Sequence, residues 1–171
     1  LGEVIKYGAT LDRELFDLIS MNLDTLINLR DNTLLSAVIE SCAKLKADIV
    51  AEDEREGNRR RILNFGHTIG HALETHFGFD VLRHGEAISY GMLAACQLSV
   101  EYSKLEHEQF NLLNNVIQAL PLPKLPDFKP KDILKIMKSD KKVQSGNLHF
   151  ILLENIGTAI IHRNITEESI I

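Results

Sequence analysis

A chain of 171 residues with 44% apolar and 25% charged residues fits one globular domain rather than a disordered segment, and at that size folding buries roughly two thirds of the unfolded surface. The formal charge of −5 and the pI near 5.8 argue against a nucleic-acid module, while leaving room for a local basic pocket. With no apolar run near the roughly 18 residues of a membrane span and no signal-peptide pattern, a cytoplasmic protein is expected.

Leu1 to Gly8 lacks a methionine and reads like the interior of a helix, so the chain is expected to be a piece of a longer one. Asp12 to Ser20 and Leu23 to Leu29 carry apolar residues at helical spacing. Asp31 or Asn32 can cap a long helix from about Thr33 to Glu54, with Gly57-Asn58 breaking it. A helix from about Asn64 to Phe77 stops at Gly78. Another spans about His84 to Ser103, with Gly91 and Ala94-Ala95 suited to close packing, and a further one runs from Glu106 to Ala119. Pro121, Pro123, Pro126 and Pro130 make the next segment a rigid connector before a short helix, Lys131 to Lys138. Strands are expected over His149 to Leu153 and Thr158 to His162, joined by Asn155-Ile156-Gly157. The class is mainly α, a multi-helix domain over residues 1–171 with a small β-hairpin near the C-terminus.

Cys42 and Cys96 lie in apolar helical stretches without a second cysteine at ligand spacing, which points to buried reduced thiols. The strongest chemical signal is Asn64-Phe65-Gly66-His67-Thr68-Ile69-Gly70-His71-Ala72-Leu73-Glu74. His67, His71 and Glu74 share one helical face, and two histidines four residues apart can chelate zinc or be satisfied, helix-packed residues. Spacing alone favours His67 and His71 as joint ligands. His84 opens the next helix; His76, His107, His149 and His162 read as surface or strand residues. Lys6 stands one helical turn after Glu3, Lys46 lies on the long helix, Arg59, Arg60 and Arg61 enter the histidine helix, and Lys141-Lys142 follow Asp140. Each alone reads as a solvated charge. Together around a metal they would bind a substrate carrying phosphate and carboxylate.

These pieces, in this order, resemble the 3-dehydroquinate synthases. The matching stretches are Gly2 to Gly8, Lys46 to Val50 with Asp53 to Gly57, Arg60 to Glu74, His84-Gly85-Glu86-Ala87 with Gly91-Met92, and Asp140-Lys141-Lys142. The resemblance implies Glu3, His67 and His84 as three metal ligands, one from each of three helices, with positions left open for substrate. It implies His71 and Lys46 as catalytic residues, and Lys6, Lys46, Arg60, Asn64, His71 and Lys141 as substrate-binding residues. Arg59 and Arg61 are not carried over; Asn58-Arg59 stands where the family more often has an apolar residue before the arginine.

The implied activity is that of a phosphorus-oxygen lyase of the shikimate pathway, leading toward chorismate and the aromatic amino acids. It converts 3-deoxy-D-arabino-heptulosonate 7-phosphate to 3-dehydroquinate and phosphate, using Zn2+ or Co2+ and NAD. No glycine-rich dinucleotide fingerprint follows a strand here. The NAD-binding domain is therefore expected to precede this segment, and the segment alone to be inactive. A homodimer is implied; nucleic-acid and membrane partners are not. Alternative readings are a related sugar-phosphate cyclase, a metal-dependent polyol dehydrogenase, or a non-catalytic helical domain with structural histidines.

Overall fold

The computed structural model describes residues 1–55, 59–139, 149–163 and 165–170. In chain order these form α1 (Gly2–Leu11), α2 (Arg13–Met21), α3 (Leu23–Ile27), α4 (Asn32–Glu52), a 3-10 helix (Arg59–Asn64), α5 (His67–Phe77), α6 (His84–Tyr102), α7 (His107–Gln118), α8 (Pro130–Ser139), β1 (His149–Asn155) and β2 (Thr158–Arg163). The mainly helical class with one C-terminal hairpin is as the sequence predicts. Among the described residues no helix is long and apolar enough to cross a membrane.

Local chemistry sets the ends. Asp12 Oδ1 accepts from Leu15 N–H at 3.0 Å to start α2. Asp31 Oδ1, rather than Asn32, accepts from Thr33 and Leu34 N–H at 2.9 and 3.0 Å to start α4. The predicted break at Gly57-Asn58 lies outside the described residues; α4 ends before it, at Glu52. The histidine helix differs from expectation at its start. Residues Arg59–Asn64 wind as a 3-10 helix, and Gly66 at φ 78° turns the chain before α5 begins at His67. A left-handed residue cannot continue an α-helix, and glycine adopts it without a Cβ clash.

Helix α6 is the central element. Its small and apolar residues bury on several sides, with Ala87, Ile88, Ser89, Gly91, Met92, Ala95, Cys96, Leu98 and Ser99 all enclosed. On one side Ile88, Met92 and Cys96 join Ile5, Phe16, Ile19, Leu113 and Ile117 from α1, α2 and α7. On the other, Ala87 and Leu98 join Ala72, Leu73, Ile133 and Met137 from α5 and α8. Strand β1 divides its side chains by the period of two: Ile151 and Leu153 enter the first cluster, Phe150 and Leu152 the second.

The hairpin is antiparallel with Ile151 opposite Ile161 and an irregularity between Leu153 and Asn155. Its inner edge is satisfied by side chains of α6 and of the residue that caps it: Leu153 N–H donates to Ser99 Oγ at 2.9 Å, and Ser103 Oγ donates to the Leu153 carbonyl. The hairpin turn also docks on α1, where Gly157 N–H donates to the Ala9 carbonyl at 2.8 Å. These contacts hold α1, α5 and α6 in fixed relation, and the site lies where the three meet.

Candidate functional site

Three elements far apart in sequence bring Glu3, His67 and His84 together. Glu3 sits in the first turn of α1, and His67 and His84 are the first residues of α5 and α6. The approach of α5 to α6 depends on glycine: a Cβ on Gly91 would lie 2.0 Å from the Gly66 carbonyl oxygen, and one on Gly70 2.7 Å from Ile88 Cδ1. Gly2 similarly lets α1 meet α6, since a Cβ there would stand 2.4 Å from the Gly85 carbonyl.

Glu3 Oε1 lies 3.4 Å from His67 Nε2 and 3.5 Å from His84 Nε2. The other imidazole nitrogens have partners of their own. His67 Nδ1 is 3.1 Å from the Phe65 carbonyl, and His84 Nδ1 is 2.9 Å from Glu74 Oε1. Carbonyl and carboxylate oxygens only accept, so each Nδ1 carries a proton, and in the neutral imidazole the lone pair is then on the Nε2 turned toward Glu3. Glu3 Oε1 is buried and, among the described residues, without a hydrogen-bond partner.

Three electron-pair donors facing one another repel unless something positive lies among them. Donors of a tetrahedral zinc site, with bonds near 2.0–2.1 Å, stand about 3.4 Å apart, which matches the separation of Glu3 Oε1 from each imidazole Nε2. The residues fit a divalent cation. A second cluster, His71, Glu74 and His84, also has ligand atoms within 4.8 Å of one another. Among the described residues, His67 and His71, the pair favoured by spacing alone, do not fall in one such group. Their rings meet edge to face at 5.1 Å, and His71 stands 5.9 Å from the His84 ring.

Electrostatics suit the same arrangement. Burial, with the nearby Lys6 charge, pushes the His67 pKa down to about 4, so the ring is neutral at pH 7. Burial alone would raise the Glu3 carboxyl, but Lys6, His67 and His84 outweigh it and hold it below the usual carboxylate value. Lys6 Nζ donates to Glu3 Oε2 at 2.6 Å. Lys6 is almost fully buried, and burial lowers its pKa despite Glu3, with Lys46 adding repulsion.

The remaining predicted residues surround this centre unevenly. Lys46 is exposed on α4, close enough for its charge to act on Lys6. Arg60 is half-buried in the 3-10 helix; its N–H donates to Asp53 Oδ2 at 3.1 Å and its guanidinium to the Glu54 carbonyl at 3.1 Å. Asn64 ends the same 3-10 helix. Lys141 lies outside the described residues. Cys96 is buried and Cys42 half-buried, both free. Glu74, buried within α5, was legible on the histidine face but carried no expected role.

A family model described as 3-dehydroquinate synthase C-terminal matches residues 1–143. The 3-dehydroquinate synthase of Desulforamulus reducens is 40% identical across the whole chain, which covers 48% of that protein. That of Geobacter sp. is 42% identical over 95% of the chain, covering 45% of the relative. Among solved structures, the fold matches 2-epi-5-epi-valiolone synthase from Streptomyces hygroscopicus, solved with NAD+ and Zn2+ bound, with a TM-score of 0.87 at 24% identity over 99% of the chain and 47% of the neighbour. It also matches 2-deoxy-scyllo-inosose synthase, solved with carbaglucose-6-phosphate, NAD+ and Co2+, with a TM-score of 0.69 at 20% identity over 99% of the chain and 45% of the neighbour. The chain thus spans about half the length of the curated relatives it matches, and it belongs to the 3-dehydroquinate synthase family, over that family's C-terminal region.

Proposed function

We propose that the chain is the metal- and substrate-binding half of a 3-dehydroquinate synthase, which converts 3-deoxy-D-arabino-heptulosonate 7-phosphate to 3-dehydroquinate and phosphate. The observation that carries this reading is the buried Glu3 Oε1, facing His67 Nε2 and His84 Nε2 and without a hydrogen-bond partner among the described residues. In this role Glu3, His67 and His84 hold a divalent ion, Zn2+ or Co2+, in keeping with the ions in the solved neighbours. A bound ion would polarise the substrate hydroxyl, and NAD would take up its hydride and return it after phosphate has left, so that the conversion is redox-neutral overall.

The chain's own residues do the rest. Lys6, Lys46, Arg60 and Asn64 fix the hydroxyl, carboxylate and phosphate groups, with Lys141 as a further anion contact, so that the reacting carbons stay oriented. His71, beside both histidine ligands, exchanges protons with the substrate. NAD belongs to an N-terminal domain outside these 171 residues, for which the double length of the relatives leaves room. The segment alone is then inactive, and the whole enzyme works as a cytoplasmic homodimer.

The test is metal analysis and phosphate release with the full-length protein. The wild type should hold one equivalent of zinc and release phosphate from the heptulosonate phosphate only with NAD and metal. Glu3→Gln, His67→Ala and His84→Ala should each lose most of the zinc. Full zinc content in the histidine variants, or turnover of glycerol without that of the heptulosonate phosphate, would overturn the assignment.

A further inference from the structure

The histidines at the centre are not held alike. The His67 side chain is 13% exposed, enclosed by packing and tied to the Phe65 carbonyl. The His84 side chain is 48% exposed. About half of its surface is left to solvent, so contact with the His67 and His71 rings at 5.5 and 5.9 Å restrains it on one side and its aim at Glu3 calls for a further restraint.

We infer that Glu74 is a positioning residue for the metal site, fixing the ring and tautomer of His84. This rests on the metal reading given above. Glu74 belongs to α5, one turn beyond His71, and is 5% exposed. Burying a carboxylate is costly without a compensating donor. Its recorded polar partner is His84 Nδ1 at 2.9 Å. Glu74 Oε1 therefore does two things through one hydrogen bond. It keeps the proton on Nδ1, leaving the Nε2 lone pair for the metal, and it anchors a ring that solvent would otherwise let rotate. A carboxylate behind an imidazole also raises the basicity of the ligating nitrogen.

The alternative use of Glu74, as a direct ligand with His71 and His84, requires Nδ1 of His84 to give up its proton and the short bond to Glu74. The observed hydrogen bond favours the positioning role. A purely structural role would be met equally well by glutamine, whose carbonyl can accept the same proton. Glutamine lacks the charge, and its amide can instead donate to Nδ1 and move the proton to Nε2.

The test compares Glu74→Gln and Glu74→Ala with wild type in the full-length protein. Zinc affinity is read by chelator competition, and the His84 tautomer by nitrogen NMR of the zinc-free protein. Both variants should bind zinc about 10- to 100-fold more weakly. In Glu74→Gln, at unchanged thermal stability, the His84 signal should shift from the Nδ1-protonated tautomer toward a mixture. If Glu74→Ala fails to fold, the glutamine variant decides. Wild-type zinc affinity and an unchanged tautomer in Glu74→Gln would overturn the inference. Failure of the wild type to bind zinc would instead defeat the metal reading, while the tautomer result would still decide whether Glu74 governs His84.

Discussion

Glu3 and Lys6, one turn apart on α1, divide the work of a single carboxylate: Oε2 takes the Lys6 ammonium at 2.6 Å, which leaves Oε1 to face two imidazoles. Lys6 thus orients Glu3 while keeping its own charge beside the centre. Substituting Lys6→Met should leave much of the zinc in place, because Lys6 touches Oε2 and not Oε1. Loss of a charged hydrogen bond costs ~1.5–3 kcal/mol. Substrate affinity should fall accordingly by about 10- to 100-fold, as measured by calorimetric titration of the zinc-loaded enzyme.

The depressed His67 pKa makes zinc-free stability depend on pH. The folded ring titrates near 4 against an ordinary 6.5, so between those values the unfolded chain binds the proton more readily. Stability from this group is complete above pH 6.5 and is lost as pH falls toward 4, by at most on the order of 3 kcal/mol. Urea unfolding of zinc-free wild type and His67→Gln across that range should show a steeper loss in the wild type. Parallel curves would contradict it.

Gly91 and Gly85 should respond oppositely to alanine. At Gly91 the new methyl meets the Gly66 carbonyl oxygen and Gly70 N, backbone atoms that cannot rotate away. Gly91→Ala should cost ~1–3 kcal/mol or more and, by parting α5 from α6, weaken zinc binding. At Gly85 no atom of the described residues lies within 4 Å of an added Cβ. Gly85→Ala should leave stability unchanged or raise it by up to about 1 kcal/mol through helix propensity. Thermal melts of both variants check the contrast.

The thiols should be poor nucleophiles. Burial pushes the Cys96 thiol up to about 12 and raises Cys42 less far. Native protein at pH 8 should react with Ellman's reagent slowly at Cys42 and not at Cys96, and denatured protein at both.

The sequence conveys the elements better than their meeting. The helical spacing of Leu34, Val38, Cys42, Leu45 and Ile49 predicts α4 to within two residues of its observed ends. Spacing misplaces the start of α5, because the 3-10 winding before it depends on contacts such as Arg60 N–H with Asp53. Gly66 is the signal that would have corrected it. Spacing also pairs His67 with His71, since residues one turn apart are the ones a sequence can compare. That Glu3 and His84 replace His71 around His67 follows from the packing of α1 and α6, which only the family resemblance anticipated. Glu74 was visible on the same face, but its role depends on where His84 falls.

The bond from Gly157 to Ala9 ties the last hairpin to the helix bearing Glu3 and Lys6. Gly157 sits at φ 93°, and a Cβ there would press on Arg13 N at 2.8 Å. The hairpin corner and α1 are therefore mechanically joined. Damage to the hairpin corner would be felt as a loosened carboxylate about 150 residues away in sequence, so a loss of order at Glu3 need not arise from any residue beside it.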